Sequence, residues 1–298
     1  MPGQVARTRT RLNHMKILRA VLLLGRVSNL PTVWSNTLTA WFLAGGDWRP
    51  STLASLTVGT SLLYLGGTTL NDFFDAAFDR QYRKERPIPQ DILSRQAVGC
   101  LGFGYLASGS AVAVWGAAAW WPWILGLNAA ILLYDWLHKR WLGSVLLMAA
   151  CRALLILAAA SCITQHAYPW QVWLHAIVIF GYIMGLTFTA RGESRSEPMR
   201  SWPLALLFLP LGAGIWIGWD IWWYTIPLAL LFLGVLVMSL RYLMNRDDPS
   251  RIGRAVSLML AGIASADALL LASHQAMAAV ALICHAVARL LQRVIPAT

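Results

Sequence analysis

Three aspartates, Asp72, Asp75 and Asp79, occur at positions i, i+3 and i+7 in a chain that has few other acidic residues. On an α-helix of 3.6 residues per turn, all three side chains project from one stripe. Because like charges held that close repel one another, the stripe needs positive charge nearby. Carboxylate oxygens are the ligands through which Mg²⁺ holds a phosphorylated substrate. We therefore interpret the stripe as a Mg²⁺ site.

Basic residues follow the stripe directly: Arg80, Arg83, Lys84 and Arg86. Carboxylates that can hold metal ions thus lie beside cations that can hold phosphate oxygens, and a diphosphate bound through Mg²⁺ requires both. The alternative is a solvated loop whose acids and bases pair with one another. The strict helical spacing of the aspartates favours the diphosphate site.

The elements that must position these residues are apolar. Of the 298 residues, 58% are hydrophobic and 12% charged, and the mean hydropathy is +0.57, whereas about a quarter of the residues of a soluble domain are charged. Nine apolar runs are long enough to cross a hydrocarbon core of about 30 Å, near 21–44, 51–71, 96–120, 122–137, 142–164, 168–190, 201–219, 222–244 and 255–275. A tenth run, 276–292, either spans the membrane or lies at its interface.

This pattern predicts an all-α integral membrane protein with about nine transmembrane helices in one domain, residues 1–298. Residues 1–16 form a basic tail, and residues 276–298 form an extra apolar C-terminal segment. The first apolar run contains Arg19 and Arg26 and is not followed by a signal-peptide cleavage pattern. We therefore expect the first helix to be retained.

The basic residues, which give a net charge of +11, are unevenly distributed. They concentrate at the N-terminus and near 80–95, 138–140, 191–200 and 241–254, whereas the alternate connections carry Trp and Tyr. The positive-inside rule then places the N-terminus, the charged loops and the aspartate stripe in the cytoplasm, with the helices in the cell (inner or plasma) membrane. The same distribution argues against nucleic acid as a partner.

Several polar residues interrupt the apolar runs. Tyr134 and Asp135 lie one turn deeper than Lys139 and Arg140, and an ionisable group below the interface marks a polar cavity. Arg152 lies about ten residues into its apolar run, where it needs a carboxylate or a diphosphate as partner. For Asn36 we expect an interhelical hydrogen bond, for His175 an interfacial or packing position, and for Asp267 either a cavity position or a buried bond.

The segment Asn71 to Arg80, Asn-Asp-x-x-Asp-x-x-x-Asp-Arg, and the Arg-Pro-Ile-Pro of 86–89 resemble the first signature of the UbiA superfamily of intramembrane prenyltransferases. Residues 134–140 are similar to that family's Tyr…Lys-Arg element after the fourth helix. The opening segment 26–31, with Asn36 beyond it, is similar to the family's first helix. The sequence most resembles the divergent branch found in ebo-type gene clusters.

The resemblance implies a UbiA-like helical bundle with a cytoplasm-facing active-site cavity. It implies Mg²⁺-dependent transfer of a prenyl group from an isoprenyl diphosphate to a small-molecule or lipid acceptor within the membrane. The metal ligands would be Asp72, Asp75, Asp79 and Glu193. The diphosphate would be bound by Asn71, Arg80, Lys139, Arg140, Arg191 and Arg152. The catalytic residues would be Asp72, Asp75, Tyr134 and Asp135. Of these, Asp135 or Tyr134 would orient the acceptor or accept its proton.

One motif departs from the family pattern. Members usually carry Asp-x-x-x-Asp in a second motif, where this chain has Ala190-Arg191-Gly192-Glu193-Ser194. Both aspartate positions are lost, and Glu193 supplies the carboxylate that remains. If the family shares two Mg²⁺ ions between its two motifs, the resemblance implies that this protein binds the second ion either through Glu193 and Glu197 or poorly.

Two other functions stay open. A lipid or isoprenoid carrier would retain the diphosphate site without turnover, in keeping with the altered second motif. A cation-coupled transporter would use the aspartates as its ion site, although transporters usually place such groups near the membrane midplane within inverted repeats. Neither the prenyl chain length nor the acceptor follows from the sequence.

Overall fold

The computed structural model describes residues 14–165, 167–194, 202–245 and 247–297, and within these ranges its regular structure is helical without strands. The helices are α1 (14–24), α2 (Leu30–Leu43), α3 (Pro50–Tyr82), α4 (Arg95–Ala111), α5 (Trp121–Leu137), α6 (Ser144–Ala160), α7 (Trp170–Ser194), α8 (Trp202–Ala205), α9 (Leu209–Ile217), α10 (Trp222–Met244), α11 (Arg251–Leu270) and α12 (Gln275–Leu291). The all-α prediction is confirmed.

Five stretches of the described chain are helical, long and apolar enough to cross a membrane: Pro50–Tyr82, Arg95–Gly116, Trp170–Arg191, Trp219–Met244 and Arg251–Leu270. Shorter apolar helices lie at Ser144–Ala160, Trp202–Ile217 and Gln275–Leu291. Large apolar side chains such as Leu125, Ile177 and Leu230 are exposed on the outside of the bundle, which suits contact with lipid tails. The chain is a multi-pass membrane protein, and the count of nine spans stays a prediction.

Glycines bring α3 and α4 into close contact. A Cβ atom on Gly109 would lie 2.8 Å from the backbone nitrogen of Leu63 and 2.9 Å from the carbonyl oxygen of Gly59. Close backbone approach of this kind is common in membrane bundles, where van der Waals packing drives helix association. The packing fixes α3, the helix that carries the aspartate stripe.

Helix α11 occupies the centre of the bundle and contacts α2, α7, α10 and α12. Every residue from Ala261 to Leu270 is buried, including the carboxyl group of Asp267. That carboxyl group accepts hydrogen bonds from Asn36 of α2, which confirms the interhelical bond expected for Asn36.

Two backbone features shape the end of the bundle that carries the charged residues. The helical backbone is interrupted at Arg26, between α1 and α2. The φ of Arg26 is 43°, in the left-handed region, which a non-glycine residue adopts at some cost in energy. Helix α3 continues past the apolar run that ends at residue 71 and reaches Tyr82. The aspartates therefore lie on a helix rather than in the polar connection, which begins at Arg83.

The opposite end of the bundle is rich in aromatic side chains. Trp123 Nε1 donates a 2.7 Å hydrogen bond to the Tyr168 hydroxyl, and the rings of Trp170 and Trp216 lie 5.4 Å apart. Aromatic side chains with one polar atom suit the membrane interface. One end of the bundle is thus rich in charged residues and the other in aromatic residues, as expected from the alternation of basic and aromatic connections in the sequence.

Candidate active site

The three aspartates project into the bundle from α3. Asp72, Asp75 and Asp79 are 3%, 8% and 3% exposed. The helix confirms that they share one face. Buried carboxylates require compensating partners, and the partners come from three other segments of the chain.

Asp75 is paired with residues at the end of α5. Its Oδ2 lies 3.2 Å from His138 Nε2 and 3.2 Å from Lys139 Nζ. The Lys139 ammonium also lies 4.0 Å from the ring centroid of Phe78, one turn along α3. These contacts hold Lys139 beside the stripe, and its role as a ligand of the diphosphate stays a prediction.

Asp72 faces two arginines. Arg86 Nη1 donates to both carboxylate oxygens of Asp72 at 3.5 Å, and Arg26 Nη2 lies 4.0 Å from Oδ1. Burial, followed by the positive charge of Arg26, lowers the pKa of the Arg86 guanidinium. Two cations at one carboxylate leave positive charge available for a further anion.

Asn71 links the stripe to the deeper polar residues. Its Oδ1 accepts from Arg26 Nη2 at 3.2 Å, and its Nδ2 donates to Asp135 Oδ1 at 3.1 Å. The other oxygen of Asp135, Oδ2, is buried without a hydrogen-bond partner. The ring of Tyr134 stacks on His138 with centroids 5.1 Å apart. Asp135 is therefore fixed in place and retains one oxygen that can accept a proton or a hydrogen bond.

The fit of a divalent cation depends on the carboxylates of α3. Asp79 Oδ1 is buried without a hydrogen-bond partner, and such an oxygen suits a hard cation. The described side chains nevertheless contain no cluster of three or more His, Cys, Asp or Glu residues placed to hold a metal ion. The backbone of Glu193 lies in the last turn of α7, and its side chain, like Glu197, is outside the described residues. Within the described residues, the carboxylates thus offer oxygen ligands for a cation but no preformed metal cage.

The other expected diphosphate ligands have different surroundings. Arg191 Nη2 donates to the carbonyl oxygen of His138 at 2.7 Å and to the Ser144 hydroxyl, so it supports the turn between α5 and α6. Arg80 and Arg140 are exposed, and in the described part of the chain neither forms an ion pair. Their assignment to the diphosphate stays a prediction.

Two cavities meet at Arg26. The inner cavity, of about 230 Å³, is mainly apolar, and its polar lining includes Arg26, Asn71, Tyr134, Asp135 and Arg152. The outer cavity, of about 910 Å³, is lined by Arg19, Arg26, Arg83 and Arg86. A charged group can therefore lie in the basic outer cavity while an apolar group occupies the inner one.

Three site residues were missing from the expected set of ligands. Arg26 and His138 belong to the quoted motifs but were given no role, and Arg86 was expected to hold phosphate oxygens only as one of the basic residues that follow the stripe. The signals were Arg26 inside an apolar run and Arg86 directly before a proline. Arg26, Arg86 and His138 pair with residues that are 46, 14 and 63 positions away, respectively. The spacing of residues in a single sequence does not reveal such pairs.

Comparison with known proteins agrees with the helical fold. Among solved structures, the chain resembles the apo structure of a UbiA homolog from Aeropyrum pernix K1, with a TM-score of 0.62 and 14% identity over 85% of this chain and 98% of that one. It also resembles a digeranylgeranylglyceryl phosphate synthase studied in membranes, with a TM-score of 0.59 and 14% identity over 90% of this chain and 99% of that one. At these identities the likeness concerns the fold. No curated protein matches the chain significantly.

The family assignment comes from the sequence as a whole. The model of the UbiA prenyltransferase family matches residues 28–260, a range that contains the aspartate stripe, the end of α5 and Arg191. The placement in the ebo-type branch is untested by these comparisons and stays a prediction. The matched range covers most of the 298 residues, and the chain belongs to the UbiA prenyltransferase family.

Proposed function

We propose that the protein transfers a prenyl group from an isoprenyl diphosphate to a small-molecule or lipid acceptor in a Mg²⁺-dependent reaction. The observation that carries the proposal is the position of Asp72 and Asp75 beside Arg26, Arg86 and Lys139, where a basic cavity adjoins an apolar one. A molecule with a diphosphate head and an apolar tail matches this arrangement, because its charged head suits the basic cavity and its tail suits the apolar one.

The basic side chains bind and stabilise the diphosphate. As the bond between the allylic carbon and the diphosphate oxygen breaks, the electron pair leaves with the diphosphate, and negative charge grows there. Lys139, Arg86 and Arg26 lie at the stripe where that charge develops, and preorganised cations of this kind lower the reaction barrier. Arg191 supports this set by holding the turn that follows Lys139.

The aspartates supply the ligands for the metal. Asp79, with its unpartnered Oδ1, and Asp72 would hold Mg²⁺ together with diphosphate oxygens, and Glu193 is the further candidate on α7. The chemistry that a bound Mg²⁺ supplies is neutralisation of the diphosphate charge.

The inner cavity suits the allylic cation that forms when the diphosphate leaves. Its walls are formed largely by Leu, Ile and Val side chains such as Leu63, Ile131 and Leu155, which exclude water from an allylic cation. The acceptor atom bonds to the allylic carbon and loses its proton. Asp135 Oδ2, buried and unpartnered, is the nearest candidate to accept that proton, and Tyr134 is placed to orient the acceptor.

The donor site can be tested without knowing the acceptor. We would measure binding of radiolabelled geranyl, farnesyl and geranylgeranyl diphosphates to the protein in lipid nanodiscs, with and without Mg²⁺. Asp72→Ala and Asp75→Ala should each weaken Mg²⁺-dependent binding at least about tenfold, whereas Asp248→Asn, in a separate connection, serves as the matched control. Absence of diphosphate binding under every condition contradicts the proposal.

A carrier is the second candidate, favoured by the loss of both aspartates from the segment 190–194. It predicts tight binding of the diphosphate without its release, even when acceptors are supplied. Cation-coupled transport is the third, and it predicts ion binding that is independent of isoprenyl diphosphates. We further propose that the protein lies in the cell membrane with the charged end in the cytoplasm, because that end carries the basic loops.

A further inference from the structure

The sequence has an extra apolar segment, residues 276–298, to which the proposed function assigns no role. Helix α12 ends within it at Leu291, and the residues directly after it donate their backbone N–H groups to the last carbonyl oxygens of the helix. We call residues 293–297 the strap. Val294 is 75% exposed, whereas Ala297, three residues further on, is 2% exposed. The strap therefore leaves the helix at the surface and turns into the bundle.

Side chains just before α2 hold the inner end of the strap. Asn29 Nδ2 donates to the carbonyl oxygen of Ala297 at 2.9 Å, and the Ser28 hydroxyl donates to the carbonyl oxygen of Pro296 at 3.5 Å. Asn29 is itself only 2% exposed. The shorter of these two hydrogen bonds is therefore shielded from water and gives the firmer hold.

Gln292, the residue before the strap, fixes its other end. Gln292 Nε2 donates to the carbonyl oxygen of Ser257 in α11 at 3.0 Å and to Asn29 Oδ1 at 3.4 Å. Its Oε1 accepts a hydrogen bond from Arg289 Nη1 at 2.8 Å. The strap is thus anchored at both ends, to α11 on one side and to the start of α2 on the other.

The strap lies where the two cavities meet. Pro296 lines the outer cavity and Ala297 lines the inner one, while Arg26 lines both. The cavities keep volumes of about 910 and 230 Å³ with the strap in place, so the strap is a wall of the site rather than a plug. At this junction the diphosphate of the proposed donor adjoins its prenyl group, and the wall therefore lies beside the bond that breaks.

The wall is chemically suited to exclude water. Ile295, Pro296 and Ala297 have no polar atoms in their side chains, and a proline has no backbone N–H. Ile295 is only 9% exposed, and the carbonyl oxygens of the next two residues already accept hydrogen bonds. A water molecule in a buried site needs two to four polar partners, and this part of the wall offers it few.

We propose that the strap keeps water from the reacting allylic carbon and so preserves the prenyl group for the acceptor. With the strap detached, the oxygen of a water molecule bonds to that carbon and loses one proton to solvent, and the diphosphate leaves with the electron pair of the broken carbon–oxygen bond. The products are then a prenyl alcohol and diphosphate. The inference rests on the proposed function, and it makes Asn29 and Gln292 positioning residues for the strap.

Hydrolysis of the donor by the full chain in lipid nanodiscs tests this role. Geranylgeranyl diphosphate and Mg²⁺ are supplied without an acceptor in water enriched in a heavy oxygen isotope. Label in the alcohol marks attack of water on the allylic carbon, whereas attack on phosphorus leaves the alcohol unlabelled. Ile295→Ser removes the buried apolar anchor of the strap, and Gln292→Ala releases its other end at a residue that lines neither cavity. Val294→Ser, the equivalent change at the exposed neighbour, is the matched control.

Two further measurements accompany the hydrolysis. Hydrogen–deuterium exchange of residues 293–297 reports whether the strap has detached, and binding of the donor reports whether the variant is folded with its donor site intact. Ile295→Ser should raise deuterium uptake in the strap and increase the rate of labelled alcohol formation about tenfold, while the dissociation constant of the donor changes by less than about twofold. Gln292→Ala should act in the same direction, and Val294→Ser should match the wild type.

The possible failures are distinguishable. If the strap exchanges faster but the rate of labelled alcohol formation is unchanged, the inference is overturned and the donor site stands. The same holds if neither variant detaches the strap, or if Val294→Ser accelerates hydrolysis as much as Ile295→Ser. Absence of donor binding in the wild type contradicts prenyl transfer itself, and the inference with it.

Discussion

Asn71 donates a 3.1 Å hydrogen bond to Asp135 and thereby joins α3 to α5. The bond places the last residue before the aspartate stripe in contact with the carboxyl group that lines the inner cavity. Asn71 also accepts a hydrogen bond from Arg26. One amide therefore connects an arginine of the basic outer cavity with Asp135, the candidate proton acceptor. The two halves of the proposed reaction therefore share one side chain.

Replacing Asn71 should affect both activity and stability. Asn71→Leu removes the hydrogen bond to Asp135 Oδ1 and leaves Arg26 without the amide oxygen, so we expect a loss of about 1–3 kcal/mol in the free energy of unfolding together with loss of prenyl transfer. Thermal unfolding and product formation measure the two effects. Asn128→Leu, which breaks a 2.8 Å bond to Ser110, should reduce stability alone; equal activity losses would contradict the role of Asn71.

Lys139 and Arg140 are adjacent in sequence but differ in contacts. Lys139 pairs with Asp75, whereas Arg140 is exposed. Lys139→Gln should therefore weaken diphosphate binding about tenfold, and Arg140→Gln should weaken it less, because a solvated charge is screened. The dissociation constants of both variants at low and moderate salt test this order. A larger loss in Arg140→Gln would contradict the contacts described.

Arg86 gives a prediction about pH. Although burial lowers its pKa, a guanidinium starts so high that it keeps its proton up to pH 10. In Arg86→Lys, the ammonium group starts from a pKa of about 10.4, and burial lowers it further. Between pH 7 and 10, the diphosphate affinity of the variant should fall as the pH rises through the shifted pKa of the lysine. The wild type should lack this decline between pH 7 and 10, and parallel profiles would contradict the position of Arg86 in the site.

Asp79 gives a prediction about metal dependence. Because its buried Oδ1 lacks a hydrogen-bond partner, Asp79→Asn should raise the Mg²⁺ concentration needed for half-maximal diphosphate binding about tenfold. Titration of chelator-treated protein with Mg²⁺ measures the change. Asp248→Asn, whose native carboxylate bonds to Ser250 and Arg254, is the control. An unchanged titration for Asp79→Asn would remove this residue from the metal ligands.

Two glycines of α4 provide a test of packing. A Cβ on Gly109 would lie within 3 Å of backbone atoms of α3, whereas a Cβ on Gly104 would meet no atom within 4 Å. Gly109→Ala should lower the free energy of unfolding by about 1–3 kcal/mol through overpacking. Gly104→Ala should be neutral or stabilise the helix by up to about 1 kcal/mol. Thermal unfolding in the same lipid compares the two directly.

The membrane class, the helical fold and the shared face of the aspartates were all predictable, because each depends on local composition or on the 3.6-residue period. The residues at which the helices begin and end were harder to predict. Helix α3 extends to Tyr82 because Asp72 and Asp75 pair with cations inside the bundle, and an apolar run cannot show that a polar turn will be buried. The break at Arg26 is likewise a tertiary effect, because Arg26 turns towards Asn71 and Asp72.

The partners of the site could be predicted only in part. Lys139 was expected beside the stripe from the family motif and lies there. The contact between Arg152 and Asn36 joins residues 116 positions apart, and the one between His175 and Asp267 joins residues 92 apart. Neither pair has a spacing signal in a single sequence, so packing alone reveals these contacts, and the assignment of Arg152 to the diphosphate stays a prediction.

The carboxyl group of Asp267 has a consequence for biosynthesis. An aspartate costs up to about 2.5–3.5 kcal/mol on insertion, the value for the middle of a membrane helix, and Asp267 lies in the last turn of α11, the helix at the centre of the bundle. Its donors on α2 and α7 are synthesised earlier, and they are available when α11 leaves the ribosome. Docking of α11 onto these donors therefore completes the bundle late, and a chain that lacks them would present an uncompensated acid to the insertion machinery.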